Sequence, residues 1–264
     1  MLSGVLIKAV GVYVLMRLFF NMFVFNYQIG LAITVLGTIS MILGAFLAIN
    51  QWDIKRLLAY SSISQIGYIV IGFGIGMMIL AKGGKESIAI LAIAGSLFHM
   101  VNHAVFKGLL FLSAGAVEYR TNTRDMNQLG GLAENMPITS ASSLGASMSI
   151  SGIPPFNGFF SKLIIIIAAV QAKFYLLALL AVLVSIVTLG YFLKFQKSVF
   201  QGKNNNYKDI KEVPFSMSFS MIVLLIMCIG LSVLAIPSIR EIVLDQAVNS
   251  LIHIDNYVNL VIHY

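Results

Sequence analysis

Along the 264-residue chain, apolar residues gather in long blocks separated by short polar connections. Most blocks reach about 20 residues, enough for a helix to cross a hydrocarbon core of roughly 30 Å. Reading the blocks against their glycine, proline and polar breakers predicts about eight membrane helices: Ser3 to Phe25, Gln28 to Asn50, Ser61 to Leu80, Ser87 to Val117, Met136 to Ser151, Phe156 to Gln171, Phe174 to Phe200 and Phe215 to Ile236. The connections Gln51 to Tyr60, Ala81 to Glu86, Glu118 to Asn135 and Gln201 to Val213 leave no room for a soluble domain. After Pro237 the tail Ser238 to Tyr264 mixes Leu, Ile and Val with Arg240, Glu241, Asp245 and Asp255, which suits either a helix along the interface or a loosely packed polar tail. The chain thus divides into a membrane domain, residues 1–236, and an interfacial tail, residues 237–264.

Two of these helices are short, and SGIPPFNGFFSK puts two prolines and two glycines between them. A backbone break at membrane depth must be packed in protein or face water, and broken helices are where transporters place ion sites. A turn at the membrane surface is the other reading. The N-terminus lacks a basic leader and a small-residue cleavage site and runs straight into a full-length span, so it does not read as a signal peptide.

Composition agrees with a polytopic all-α membrane protein. Hydrophobic residues make up 59% and charged residues 10%, against about 25% charged in soluble domains, and the mean hydropathy is +0.93. A net charge of +7 would suggest nucleic acid in a soluble protein. Here the basic residues lie in loops or inside spans, so the bilayer and partner surfaces explain them and no nucleic-acid role is expected. The one cysteine, Cys228, falls in an apolar block; it can form no intrachain disulfide and build no cysteine-ligated cluster. Nearly equal Lys and Arg totals on alternating loops leave orientation unassigned.

Candidate chemistry comes from cations inside apolar helices. Lys8 sits in SGVLIKAVGVYVL, Lys107 in HAVFKGLLFLSAG and Lys162 in GFFSKLIIIIAAV, whereas all ten acids fall outside the predicted spans. A charge at bilayer centre costs about 2.5 to 3.5 kcal/mol even on the lenient insertion scale. Burial without an anion disfavours a charged amine, so such a lysine can gain and lose a proton; alternatively, another chain supplies the counter-ion and the pair is structural. His99, His103 and Lys107 follow at steps of four on one helix face, about 6 Å apart along the axis. Proton hopping along that face needs water or neighbouring polar groups in between. A two-histidine metal site lacks a third ligand, and none is expected; satisfied core histidines are the remaining reading.

In QWDIKRLLAYSSISQIGYIV, Asp53 is placed to cap a helix whose first turn carries Lys55 and Arg56, the wrong sign for that position. Tyr60, Ser61, Ser62, Ser64 and Gln65 then suit either a wetted entrance beside Lys55 or ordinary interhelical hydrogen bonds. Gly72 and Gly76 form a GxxxG pair for close helix packing. Arg17, Lys173, Lys194 and Lys197 lie near span ends, where snorkelling explains them.

DIKRLLAYSSISQIGY, FHMVNHAVFKGLLFLSAGAV, TRDMNQLGGL and GIPPFNGFFSK, in this order, resemble the antiporter-like subunits shared by respiratory complex I, membrane-bound hydrogenases and multisubunit sodium/proton antiporters. The resemblance runs from about Leu2 to Ile236. It implies an inverted-repeat fold with discontinuous helices and proton, or sodium-linked, translocation driven by a partner module. It assigns Lys8 to the lysine of a central discontinuous helix and Lys55 to the KRLLAY lysine. His103 and Lys107 match the bridging helix, with His99 an added relay position, and Lys162 the terminal residue of the second broken helix. SGVLIK is similar to NGFFSK, as equivalent parts of two repeats should be.

Family members are commonly much longer, and this chain opens at what would be the seventh helix. The resemblance therefore implies either a separate chain that supplies the first half or a specialised half-subunit. It further implies other membrane subunits as partners, a peripheral iron-sulfur module of hydrogenase or dehydrogenase type, no cofactor in this chain, and the plasma membrane of a prokaryote. A sodium/proton antiporter subunit without a redox partner is the first alternative, and a structural membrane scaffold the second.

Overall fold

A computed structural model describes residues 7–23, 26–202, 207 and 209–253. Ser3 to Leu6, Val24 and Phe25 of the first predicted span, and the tail beyond His253, lie outside the described residues. Each predicted block contains one helix: α1 (Lys8–Asn21), α2 (Tyr27–Ile49), α3 (Ile54–Ala81), α4 (Glu86–Thr121), α5 (Pro137–Ser151), α6 (Asn157–Gln171), α7 (Tyr175–Phe200) and α8 (Phe215–Gly230). Among the described residues the only strand-like feature is a bridge between Asp53 and Asp125. Among the described residues five helices are long and apolar enough to cross a membrane: α2, α3, α4, α7, and α8 with its 3-10 extension Leu231–Ala235.

α3 begins seven residues before the predicted span, because Asp53 accepts the Arg56 backbone N–H at 2.9 Å and starts the helix in the polar connection. The two cations of its first turn are tolerated for separate reasons. Lys55 reaches Glu118 at 2.5 Å, and the cap itself is paired with Arg124 at 2.9 Å. Glu118 therefore lies inside α4, in its last turn, and not in a loop beyond the span.

α3 and α4 form the centre. α2 lies against α3 through glycines: a Cβ on Gly67 would stand 2.6 Å from the Gly37 carbonyl oxygen, so only glycine admits this approach. Gly72 and Gly76 likewise face Ala92 and Ala89 of α4, as the GxxxG spacing predicts.

The two short helices succeed one another along α4. Near the start of α4, Gly95 faces Ile164 and Ile165 of α6. Near its end, Arg120 donates to the Glu212 carbonyl oxygen at 2.5 Å, and the Glu212 carboxylate accepts the Ile138 and Thr139 backbone N–H groups at the start of α5. α5 and α6 are thus two halves of one interrupted helix, antiparallel to α4, as a discontinuous helix requires.

Two sequence expectations change. Lys194 does not snorkel: it donates to the carbonyl oxygens of Ile49 (2.5 Å) and Gln51 (2.8 Å), closing the C-terminus of α2. Arg17 and Asn21 of α1 instead hold the tail, donating to the Ser250 and Leu251 carbonyl oxygens at 3.5 and 3.0 Å. That tail runs through α9 (Pro237–Arg240), a π-helical turn Glu241–Asp245 and α10 (Gln246–Ile252). Its Leu244, Val248, Leu251 and Ile252 are buried in one cluster with Val12, Met16 and Phe20 of α1.

Candidate functional site

The step-of-four face of α4 turns inward onto α3, which runs antiparallel and offers Leu58, Ser61, Gln65 and Tyr68 at three- and four-residue intervals. Lys107, fully buried, donates to the Leu58 carbonyl oxygen at 2.8 Å and to Ser61 Oγ at 2.5 Å. Ser61 Oγ in turn donates to the same carbonyl at 3.0 Å, so the ammonium rests on neutral dipoles. Among the described residues no carboxylate pairs with it.

One turn along, His103 is buried against the edge of Phe106, and its Nε2 meets no hydrogen-bonding group of the protein among the described residues. A further turn on, His99 Nδ1 lies 2.9 Å from Ser161 Oγ, and Nε2 lies 3.2 Å from Gln65 Oε1. Ser161 also lies within hydrogen-bond distance of the Asn157 and Gly158 carbonyl oxygens, at 3.3 and 3.2 Å, so its hydroxyl can present an acceptor to Nδ1. Turning the Gln65 amide over would present an N–H to Nε2 and suit the neutral ring.

Lys162, the residue after Ser161, is 2% exposed. Its Nζ donates at 2.8 Å to the carbonyl oxygen of Ile150, one of the last carbonyls of α5, which the helix itself leaves unpaired. The ammonium also stands 4.6 Å above the Tyr68 ring, a cation-π contact. Tyr68 is fixed from the far side, where its hydroxyl donates to the Ala181 carbonyl oxygen at 2.5 Å and meets Ser185 Oγ at 2.9 Å.

The break itself is fastened inside the protein, with only its two prolines turned outward. Gly152 takes the left-handed conformation (φ 81°) that ends α5. Asn157 and Asn102 of α4 clasp each other: Asn157 Nδ2 donates to Asn102 Oδ1 at 2.9 Å, and Asn102 Nδ2 donates to the Asn157 carbonyl oxygen at 3.0 Å. Ser149 Oγ donates to Asn157 Oδ1 at 2.6 Å, so α4, α5 and α6 meet on one side chain.

Of the six candidates, His99, His103, Lys107 and Lys162 therefore fall in one buried file across α4 and α6. Lys8, the first residue of α1, is partly exposed and within electrostatic reach of Lys107 and His103. Lys55 lies outside the file, its side chain 44% exposed in the pair with Glu118.

The sequence reading left out Tyr68, Asn102, Asn157 and Ser161, which hold the file in place. It also left out a hydroxyl stripe on α5, where Thr139, Ser143, Ser147 and Ser151 follow at steps of four, all buried. Gln196 of α7 donates to Ser143 Oγ at 2.8 Å and to Ser147 Oγ at 2.9 Å, and Thr139 Oγ1 donates to Glu212 at 2.6 Å. The period-four repeat in PITSASSLGASMSIS was the signal for it.

The description "NADH:quinone oxidoreductase/Mrp antiporter, TM" belongs to the family model that matches residues 1–188. An Na(+)/H(+) antiporter subunit of Bacillus subtilis (strain 168) is 34% identical over 245 residues, which cover 87% of this chain and 30% of that protein. A chain of the Mrp complex from Dietzia sp. DQ12-45-1b superposes with a TM-score of 0.82 at 23% identity, over 95% of this chain and 52% of its own. A chain of the membrane-bound sulfane sulfur reductase, an archaeal respiratory membrane complex, does so with a TM-score of 0.70 at 37% identity, over 78% and 32%. The chain spans about 30% of the length of the Bacillus relative. On the family match, the shared fold and the helices long enough to cross a membrane, it is a membrane protein belonging to the NADH:quinone oxidoreductase/Mrp antiporter transmembrane family.

Proposed function

We propose that this chain is a proton-translocating, or sodium-linked, membrane subunit of a redox-driven complex. The observation that carries the reading is the file Lys107, His103, His99 and Lys162: buried proton-bearing groups, the first three at successive turns of α4, with Ser61 on Lys107, Gln65 and Ser161 on His99, and no carboxylate partner among the described residues. Lys107 and Lys162 sit on carbonyl and hydroxyl dipoles in place of carboxylates, so no ion pair fixes their protons. Lys8 feeds the Lys107 end of the file, Lys55 with Glu118 forms its mouth, and the α5 hydroxyl stripe leads from Lys162 toward Glu212.

The energy source lies outside this chain. With one cysteine it builds no iron-sulfur cluster, so electrons would move in a peripheral partner and only their conformational or electrostatic effect would reach the file. The 37% identity to a chain of the membrane-bound sulfane sulfur reductase supports the redox-driven form. The Na(+)/H(+) antiporter relative from Bacillus subtilis, at 34%, supports the second reading, a gradient-driven antiporter subunit. In either form the chain would sit as a multi-pass subunit in a prokaryotic plasma membrane, beside further membrane subunits.

The complex is purified from native membranes in mild detergent, its subunits are identified by mass spectrometry, and it is reconstituted into vesicles with a pH-sensitive dye. Lys107→Ala, and the volume-keeping Lys107→Met, abolish ion translocation while native gels show an assembled complex. Normal pumping by both variants would remove the file from the mechanism, and failure to assemble would make the lysine a structural anchor. Iron-sulfur subunits among the co-purifying chains support redox drive, whereas small membrane subunits alone support antiport.

A further inference from the structure

Between α2 and α7, on the outer face of the bundle, runs a groove of about 500 Å³, walled by Leu31, Val35 and Ile39 on one side and Leu176, Leu177 and Leu180 on the other. It opens into a second hollow of about 390 Å³ lined by Tyr27, Lys82, Lys85, Gln171 and Lys173. Met78, Lys173 and Phe174 line both, so groove and hollow are continuous.

The three lysines are exposed, and among the described residues none is in an ion pair. Glu86, the acid beside them in sequence, faces His253 at 3.0 Å. Lys82 is held at the mouth with its Nζ 3.9 Å above the Tyr27 ring. Two helices start at the same place without a side-chain cap, α4 after Lys85 and α7 after Phe174. Their first N–H groups lack intrahelical partners and carry the positive ends of the helix dipoles, which favours an anion. The C-termini of α3 and α6 also end here and account for a cation beside each. They do not account for an apolar channel leading away from three unpaired ammonium groups.

We propose that hollow and groove together bind one anionic phospholipid, its phosphate against Lys82, Lys85 and Lys173 and an acyl chain in the α2/α7 groove. The volumes fall within the range of small-ligand sites, about 300 to 1,000 Å³, and a phosphate headgroup with an apolar chain matches three unpaired ammonium groups at the mouth of an apolar groove.

The complex, purified in mild detergent and stripped of lipid, is titrated with phosphatidylglycerol and with phosphatidylcholine, and bound lipid is counted by native mass spectrometry. Phosphatidylglycerol binds in preference to phosphatidylcholine. Each Lys→Gln change weakens it by about fivefold, and the triple variant by about a hundredfold. Leu177→Trp fills the groove and displaces the lipid with all three lysines in place. Equal binding of the two lipids, or undiminished phosphatidylglycerol binding by the triple variant, overturns the proposal. So does Val35→Cys cross-linking to another polypeptide in native membranes, since a protein would then occupy the groove.

Discussion

Gln65 holds one of the buried imidazoles without being titratable itself. Its Oε1 meets His99 Nε2 at 3.2 Å, while its own Nε2 and His103 Nε2 are buried without a protein partner among the described residues. An unpaired buried polar atom is unfavourable by about 1 to 3 kcal/mol, and a buried water or a shifted proton-bearing neighbour would satisfy these two. Gln65→Leu keeps the volume and removes both functions of the amide. It is expected to lower translocation by roughly tenfold or more, as loss of a group in a proton-transfer step does, with assembly unchanged; unaltered rates would reduce Gln65 to packing. The lysines and histidines were legible in the sequence because a charge or imidazole within an apolar run demands a reason. Gln65 stood only among possible entrance groups, and Ser161, Asn102 and Tyr68 went unread, because small polar residues and tyrosines are ordinary in membrane helices. Only the tertiary fold aims them.

Helices were easier to read than their joints. Every apolar block became a helix, because the backbone in lipid has no other local way to satisfy its hydrogen bonds. α3 starts at the Asp53 cap that the sequence places there, seven residues before the apolar block, and an ion pair to another helix makes the charge of Lys55 compatible with its first turn. The break between α5 and α6 left interior and surface readings open in the sequence; the Asn102–Asn157 clasp places it inside the protein, since two complementary amides 55 residues apart only meet when folded. Asn157→Ala leaves Asn102 and Ser149 with unpaired buried groups and loosens α6, which carries Lys162. A loss of about 1 to 3 kcal/mol is expected, seen as a lower melting temperature of the complex and faster hydrogen exchange across residues 152–162. Protection equal to wild type there would assign the rigidity of the break to its prolines.

At the scale of the whole molecule the first and last described helices lie together. α1 begins at Lys8, and its inner face, Val12, Met16 and Phe20, is covered by α10 and the turn before it. Nothing in the pattern of either segment names the other, because the first reads as a membrane span and the second as an interfacial helix or a polar tail. Arg17, read from sequence as a snorkelling residue, instead donates to the Ser250 carbonyl oxygen. The arrangement ties the position of Lys8 to the tail. Deleting residues 238–264 removes the cover and two hydrogen bonds from the same helix that carries Lys8 toward Lys107. The truncated protein is expected to assemble with a melting temperature lower by about 2 to 4 °C for each kcal/mol lost, and to translocate more slowly. Restoring the tail in trans, as a peptide covering residues 238–264, recovers both. A truncated complex that pumps at the wild-type rate while melting earlier would separate the two effects: the tail would then hold α1 for stability alone, and Lys8 would be positioned by the packing of α1 on α3 and α4.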